Sequence, residues 1–275
     1  MAALEQDDYR EPRCLLNMND PAVAPAETVD MGRVIEKLDE YLSRNDKAGA
    51  ERHLLFWLEE ARAGRDRRGE HSLKNELMGF YRKEGREEEA IRFARSALED
   101  LKDLGLEDTA TAGTCLVNVA TVYFTFHHAA EAQPYFEKAR ALYEKHLAPD
   151  DPRLGGLYNN TGLNLTDLGR FDEALALYDR ALAVMKKKPG GELEEAITLL
   201  NAADTLTAKL GPEASEAPVE ERLEAAMALL DAPGVRRDGY YAFVCEKCAP
   251  VFGQYGHFWE QRELAERARA IYERD

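Results

Sequence analysis

One small residue recurs at a fixed interval along the middle of this chain and limits the folds it can adopt. Ala90, Ala132 and Ala174 are separated by 42 residues, and each follows a stretch of large and small side chains at helical spacing. A period of this length is typical of arrays of helix pairs, in which no pair buries its apolar face alone. No long segment shows the sustained alternation that indicates a strand. The sequence therefore predicts an all-α array.

The clearest copy of the pattern spans residues 158–181. Gly169 marks the turn between the two helices. Gly162 and Ala174 are the small residues, and we expect them to face one another where the helix backbones approach closely. The large side chains at helical spacing, which we expect to be buried, are Tyr158, Leu165, Phe171 and Tyr178.

The same frame extends over most of the chain. It predicts six units near residues 30–70, 71–112, 113–154, 155–195, 196–238 and 239–275. Asp30 is positioned to cap the first helix. The period exceeds that of the common repeat of about 34 residues, so each second helix should be long. Gly211-Pro212 and Ala217-Pro218 predict a stretched turn in the fifth unit.

Residues 1–29 lie outside the repeats and are predicted to form an extended arm, because Pro12, Pro21 and Pro25 disfavour helix. Their segment Cys14-Leu-Leu-Asn-Met18 is apolar, whereas its surroundings are acidic or rich in proline. We expect this segment to dock on the array. It could cover the first helix pair or lie in a groove as an internal competitor.

The charge balance excludes two classes of partner. The chain has 36 basic and 52 acidic residues and a net charge of -16, which repels phosphate backbones and anionic lipid. We therefore expect neither nucleic acid nor membrane as a partner. The N-terminal sequence has no basic segment followed by an apolar run, which favours a cytoplasmic protein with free thiols.

Cys245 and Cys248 could hold a metal or act in redox chemistry, since two thiolates three residues apart share one helix face. The other ligands of such a site are missing, because His257 is the only nearby imidazole. In the repeat frame both cysteines take the positions of the core residues Leu116 and Val119. We expect them to be buried in the core, with no metal or cofactor bound.

Pro250 departs from the repeat pattern because it lies within the first helix of the last unit and removes an amide donor there. Two interpretations remain open. The segment could form a kinked pocket or a modified cap at the end of the array. The aromatic residues that would surround such a pocket are Tyr240, Tyr241, Phe243, Phe252, Tyr255, Phe258 and Trp259.

Several features resemble the tetratricopeptide repeats of the kinesin light chain type. They are the 42-residue step, the Leu-x-Asn-x-Ala-x-x-Tyr pattern of Leu116 to Tyr123, and the linker that contains Pro149-Asp-Asp-Pro152. The resemblance covers residues 71–210 most clearly. It implies a right-handed superhelix, or solenoid, of about six antiparallel helix pairs. It also implies that the first helix of each unit lines a concave groove.

In such repeats an asparagine two residues after the leading Leu or Tyr reaches into the groove. Those positions are Asn118, Asn160 and Asn201 here. Amides offer donors and an acceptor, so they suit the backbone of an extended peptide. The alternative is that they cap or bridge helices within the array. The neighbours expected to supply specificity are Asn75, Arg82, Lys83, Phe124, Thr125, Asn159, Asp167 and Lys247.

No phosphate loop, nucleophile elbow or carboxylate pair indicates catalysis. We therefore expect a non-catalytic module, monomeric or homodimeric, that binds a peptide segment of a partner protein in its groove. Two other hypotheses remain open: a cytoplasmic sensor of a short signalling peptide, and a scaffold that assembles with itself.

Overall fold

The computed structural model describes residues 28–274, and these residues form twelve α-helices without any strand. The first five are α1 (Met31–Ser43), α2 (Lys47–Ala63), α3 (Arg67–Lys83), α4 (Glu87–Asp103) and α5 (Ala110–Thr125). The next four are α6 (Ala129–His146), α7 (Pro152–Asp167), α8 (Phe171–Met185) and α9 (Glu192–Leu210). The last three are α10 (Pro212–Leu230), α11 (Gly239–Gln254) and α12 (Phe258–Tyr272). The predicted all-α fold is confirmed, whereas the predicted arm lies almost wholly outside the described residues.

Short turns with a left-handed residue separate many of these helices. The turn residues with positive φ include Gly85 (69°), His127 (64°), Gly169 (72°) and Gly256 (85°). The residue after each of them donates its amide back into the preceding helix, as in the 2.8 Å bond from Arg170 to the Leu165 carbonyl. This arrangement satisfies carbonyls that the helix end leaves free and reverses the chain within a few residues.

The described chain forms two compact units. The first extends to His128, and within it α2 packs on α1 and α3, while α3 packs on α4 and α5. The Asp30 carboxylate accepts a bond from the Arg33 amide at 3.2 Å, so the predicted cap of α1 is confirmed. The core residues of this unit that are fully buried include Leu54, Leu73, Leu77, Ala90 and Val119.

The second unit begins at Ala129. Within it α7 packs on α6 and α8, and α9 packs on α8, α10 and α11, which in turn packs on α12. Cys245 and Cys248 belong to its core beside Leu223 and Leu264. Their predicted burial is confirmed, and burial raises the pKa of Cys248 to about 12 and that of Cys245 in the same direction.

One prediction about the repeats is wrong, and two others gain detail from the structure. Only Gly211 separates α9 from α10, because Pro212 occupies the first helical position, where a missing amide costs nothing. The second helices are long, with 15–19 residues, but they are not consistently longer than the first helices, since α8 has 15 residues and α7 has 16. The three nearest atoms to a Cβ built at Gly162 all belong to the Tyr178 ring, so this ring fills the space beside the glycine.

The aromatic residues around Pro250 do not form one pocket within the described chain. Tyr241 and Phe252 are buried in the core of the second unit, whereas Phe258 and Trp259 are 67% and 80% exposed. Pro250 itself is exposed, and α11 continues through it to Gln254. The pocket interpretation is therefore wrong. No helix of residues 28–274 is both long and apolar enough to cross a membrane.

Candidate functional site

A cavity of about 290 Å³ opens in the first unit between α1, α3 and α5. Asn75, Arg82, Lys83 and Asn118, four of the residues that the sequence predicts to contact a peptide, are among its lining residues. The other lining residues are Leu38, Leu42, Glu76, Gly79, Phe80, Glu84 and Thr121. The cavity therefore combines apolar side chains with amides and cations.

Helical spacing explains why these side chains meet. Asn75, Gly79 and Arg82 lie one turn apart along one face of α3, and Asn118 and Thr121 do so on α5. A Cβ built at Gly79 would meet no atom within 4 Å, so this glycine leaves open space in the cavity. The face is therefore accessible along two turns of α3.

The two amides of the cavity are linked to each other and to the interior. Asn118 Nδ2 donates to Asn75 Oδ1 at 3.4 Å. Asn75 Nδ2 donates to the His71 carbonyl at 3.0 Å and lies 3.2 Å from His71 Nε2. Each amide thus bridges helices or turns, as the alternative hypothesis held. An amide has two donors and an acceptor with two lone pairs, so Asn118 also retains groups for a ligand.

The cations of the cavity have different surroundings. Burial lowers the pKa of Arg82, whose guanidinium forms no ion pair or hydrogen bond with the described part of the chain. Lys83 is exposed. Burial raises the pKa of Glu76, an effect that the charge of Lys83 partly opposes. Glu84 is bound by Lys47 at 3.0 Å. The Arg82 guanidinium is therefore available to an anionic group.

The second unit contains a separate chain of amides. Asn201 Nδ2 donates to Asn159 Oδ1 at 2.9 Å, and Asn159 Nδ2 donates to Asn160 Oδ1 at 3.3 Å. The sequence frame gives Asn160 and Asn201 equivalent positions in successive units. In the structure the hydrogen bond of Asn201 goes to the neighbouring Asn159. Beyond them, Asp204 accepts bonds from Tyr255 Oη at 2.8 Å and from Gln254 at 3.2 Å.

The remaining predicted residues stand apart from these amides. Lys247 is exposed on α11, with Nζ 5.6 Å from the centre of the Phe243 ring. Phe243 also stacks on Tyr240, with ring centres 6.3 Å apart. Phe124 is half-buried on α5 and does not line the cavity of the first unit. Lys247 and Phe124 therefore do not share a site with the amides.

Sequence reasoning missed the apolar wall of the cavity and the support behind it. Leu38 and Leu42 carry a helical pattern that indicated only burial. Gly79 lies four residues after Asn75, so the spacing that found Arg82 could also have found it. His71 lies four residues before Asn75, but a buried histidine in a helix has no distinct sequence signal.

A second cavity, of about 260 Å³, lies in the second unit against α6, α7 and α8. Its lining includes Arg140, Arg170 and Arg180. Arg170 binds both oxygens of Glu173 at 2.7 Å, and Arg180 binds Glu144 at 2.7 Å. Two of its three guanidinium groups are thus already paired with carboxylates.

Two segments, residues 71–145 and 154–228, match the tetratricopeptide repeat model and together cover more than half of the chain. The chain belongs to the tetratricopeptide repeat family. Tetratricopeptide repeats are in general non-catalytic interaction modules, and the match fits the helix pairs described above.

Relatives support the kinesin light chain type of repeat. The kinesin light chain-related protein 3 of Arabidopsis thaliana is 26% identical over 106 residues, which are 38% of this chain and 16% of that protein. This tetratricopeptide repeat chain therefore aligns with less than a fifth of its relative.

Solved structures show the same fold. BtubC (BKLC) from P. vanneervenii is 23% identical with a TM-score of 0.63, over 76% of this chain and 87% of that one. A Rap protein complexed with competence and sporulation factor is 17% identical with a TM-score of 0.55, over 88% of this chain and 63% of that one.

Proposed function

We propose that this tetratricopeptide repeat chain is a non-catalytic cytoplasmic module that binds a peptide segment of a partner protein. The cavity of the first unit carries this proposal, because it combines a guanidinium that pairs with no residue of the described chain with two linked amides and apolar side chains. These are the groups that an extended peptide requires for its charge, its backbone and its side chains.

Each part of the cavity suits one part of such a ligand. The remaining donors and acceptor of Asn118 can pair with the peptide backbone. Arg82 and Lys83 suit a carboxylate, either of an acidic side chain or of the peptide terminus. Leu38, Leu42 and Phe80 supply apolar contact. We therefore expect an acidic peptide with at least one apolar residue.

A selection from a random peptide library against the full chain tests this function. The selected peptides are then titrated by fluorescence anisotropy against the wild type, Arg82→Gln and Asn118→Ala. Losing a charge-assisted hydrogen bond costs about 1.5–3 kcal/mol, so Arg82→Gln should weaken binding roughly 10- to 100-fold.

Arg140→Gln is the matched control, because it removes the same charge from the other unit. It should leave the affinity within about twofold of the wild type. A library without binders, or peptides that bind all variants equally, would refute the proposed site.

The sensor hypothesis is the second candidate, and the Rap protein favours it because its solved structure contains competence and sporulation factor. A short signalling peptide and an internal segment differ at their termini. Extending the selected peptides at both ends and amidating the carboxylate distinguishes them. Unchanged affinity indicates an internal segment of a partner, whereas loss of binding indicates a free short peptide.

A further inference from the structure

The amide that lines the cavity is held from behind by a buried histidine. His71 is 5% exposed and lies one helical turn before Asn75 on α3. The Asn75 amide nitrogen contacts both the carbonyl and the ring nitrogen Nε2 of this residue, at 3.0 and 3.2 Å. The ring therefore stands between the protein interior and the cavity.

Charged groups from the neighbouring helices surround the ring. His71 Nδ1 lies 4.0 Å from Asp100 Oδ2 of α4. Lys74 binds that carboxylate at 2.7 and 2.9 Å and Glu70 at 2.9 Å. The other charged or titratable groups around this cluster are Arg62 of α2, Arg67 of α3, Asp103 of α4 and Cys115 of α5.

The hydrogen-bond pattern selects one form of the ring. Asn75 Nδ2 is a donor, so His71 Nε2 must be an acceptor, which places the proton of the neutral ring on Nδ1. Nδ1 lies 4.0 Å from Asp100 Oδ2, beyond hydrogen-bond distance, and forms no hydrogen bond within residues 28–274. The Asn75 amide cannot simply turn over, because its oxygen would then face the His71 carbonyl. Its oxygen also accepts the bond from Asn118. The contacts of Asn75 Nδ2 and those of Asn75 Oδ1 therefore require the same orientation of the amide.

We propose that His71 is a positioning residue for ligand binding, a neutral acceptor that holds Asn75 and, through it, Asn118 in one orientation at the cavity. This role rests on the proposed peptide-binding function. It fixes which donors and acceptor of Asn118 face a ligand. Protonation of His71 Nε2 would place its N–H donor against the Asn75 Nδ2 donor. This contact would then break, and Asn75 and Asn118 would no longer be held in one orientation.

The ring is suited to remain neutral near pH 7. Burial lowers the pKa of His71, the charge of Asp100 partly opposes this, and Lys74 lowers it further. The amides should therefore keep their orientation at neutral pH and lose it as the pH falls below the ordinary histidine range of about 6.5.

Nitrogen NMR of the full chain tests the proposal without any ligand. A long-range ¹H–¹⁵N spectrum at pH 7 should show a neutral His71 with its proton on Nδ1. The side-chain amide signals of Asn75 and Asn118 should both shift as the pH falls, with the same midpoint as the His71 ring. A proton on Nε2, or amide signals that ignore the ring, would overturn the proposal.

Two substitutions separate positioning from mere packing. His71→Gln supplies an amide oxygen near the position of Nε2, so the Asn75 signals should stay close to wild type and lose their pH dependence. His71→Leu removes the acceptor and should move both amide signals at every pH. If His71→Leu does not fold, the wild-type titration and His71→Gln decide the matter.

His53 offers the matched control, since it is a buried histidine of the same unit whose Nε2 contacts the Val34 carbonyl at 2.9 Å. His53→Gln should leave the Asn75 and Asn118 signals unchanged. Once a peptide is selected, it should bind His71→Leu up to about tenfold more weakly than His71→Gln. If His71→Leu and His71→Gln bind the peptide equally although the amide signals of His71→Leu are altered, the effect on binding is refuted. The positioning of Asn75 by His71 would then still hold.

Discussion

Gly162 lacks a side chain because the ring of Tyr178 occupies the space beside it. A Cβ at Gly162 would lie 2.5 Å from Tyr178 Cε1, well inside the van der Waals limit, and this ring is fully buried. The repeat pattern identified both positions as core but did not identify the Tyr178 ring as the group that fills the space beside Gly162. The spacing of small residues shows where two helices approach, whereas the long side chain that fills the gap depends on its rotamer.

Gly162→Ala should therefore destabilise the fold by roughly 1–3 kcal/mol, because the Tyr178 ring must move within a packed core. Urea unfolding followed by circular dichroism measures this change. Gly156→Ala in the same helix is the control, since a Cβ there meets no atom within 4 Å. It should stabilise by roughly 0.5–1 kcal/mol. Equal effects of the two substitutions would contradict the packing at Gly162.

His71 also gives stability a defined dependence on pH. Its pKa is lower in the folded chain than the ordinary value of 6.5, so the unfolded chain binds more protons between the two values. The stabilisation is present above about pH 6.5 and is lost as the pH falls toward the folded value. Urea unfolding at pH 7.5 and pH 5.5 should show a smaller loss for His71→Gln than for the wild type. An identical loss would mean that the ring does not titrate this way.

At the scale of helices, α3 and α4 are joined by a buried ion pair as well as by apolar packing. Lys74 and Asp100 are each about 5% exposed and bind through two hydrogen bonds. Both residues lie within the predicted unit near residues 71–112, but their pairing depends on the rotation of one helix against the other. The single-residue turn at Gly211 was missed for a related reason. Pro212 interrupts a helix from within but begins one without cost, and the pattern alone does not distinguish these cases.

Asp100→Asn should destabilise the chain by roughly 3–5 kcal/mol, because it leaves Lys74 buried without its main counter-charge. Asp103→Asn on the same helix removes a carboxylate that is mostly exposed and pairs with Arg67 at 3.2 Å. This control should change stability by less than about 1 kcal/mol. Thermal and urea unfolding compare the two, and a mild effect of Asp100→Asn would show that Glu70, which Lys74 binds at 2.9 Å, or water is sufficient to stabilise the charge of Lys74.

At the scale of the whole molecule, each unit has its own core and one of the two tryptophans. Trp57 is 5% exposed in the first unit, whereas Trp259 is the most exposed aromatic residue described in the second. The repeat period predicted the number and order of the helices. The grouping into two units reflects which helices lie close to one another, and a period does not contain this information.

The two tryptophans should respond differently to acrylamide. Trp57→Phe leaves Trp259 as the only tryptophan. Trp259 should emit at long wavelength, and acrylamide should quench its fluorescence efficiently. Trp259→Phe leaves Trp57, which should be protected until the first unit unfolds. Similar quenching of the two variants would contradict the burial of Trp57.

The reactivity of the buried thiols measures how often the helices around them open. Only a thiolate reacts with alkylating reagents, and Cys115, Cys245 and Cys248 are buried with raised pKa values. Each can therefore be modified only while the helices around it are apart. Mass spectrometry of alkylated peptides over time would give one opening rate for Cys115 in the first unit and another for the pair in the second, without any mutation.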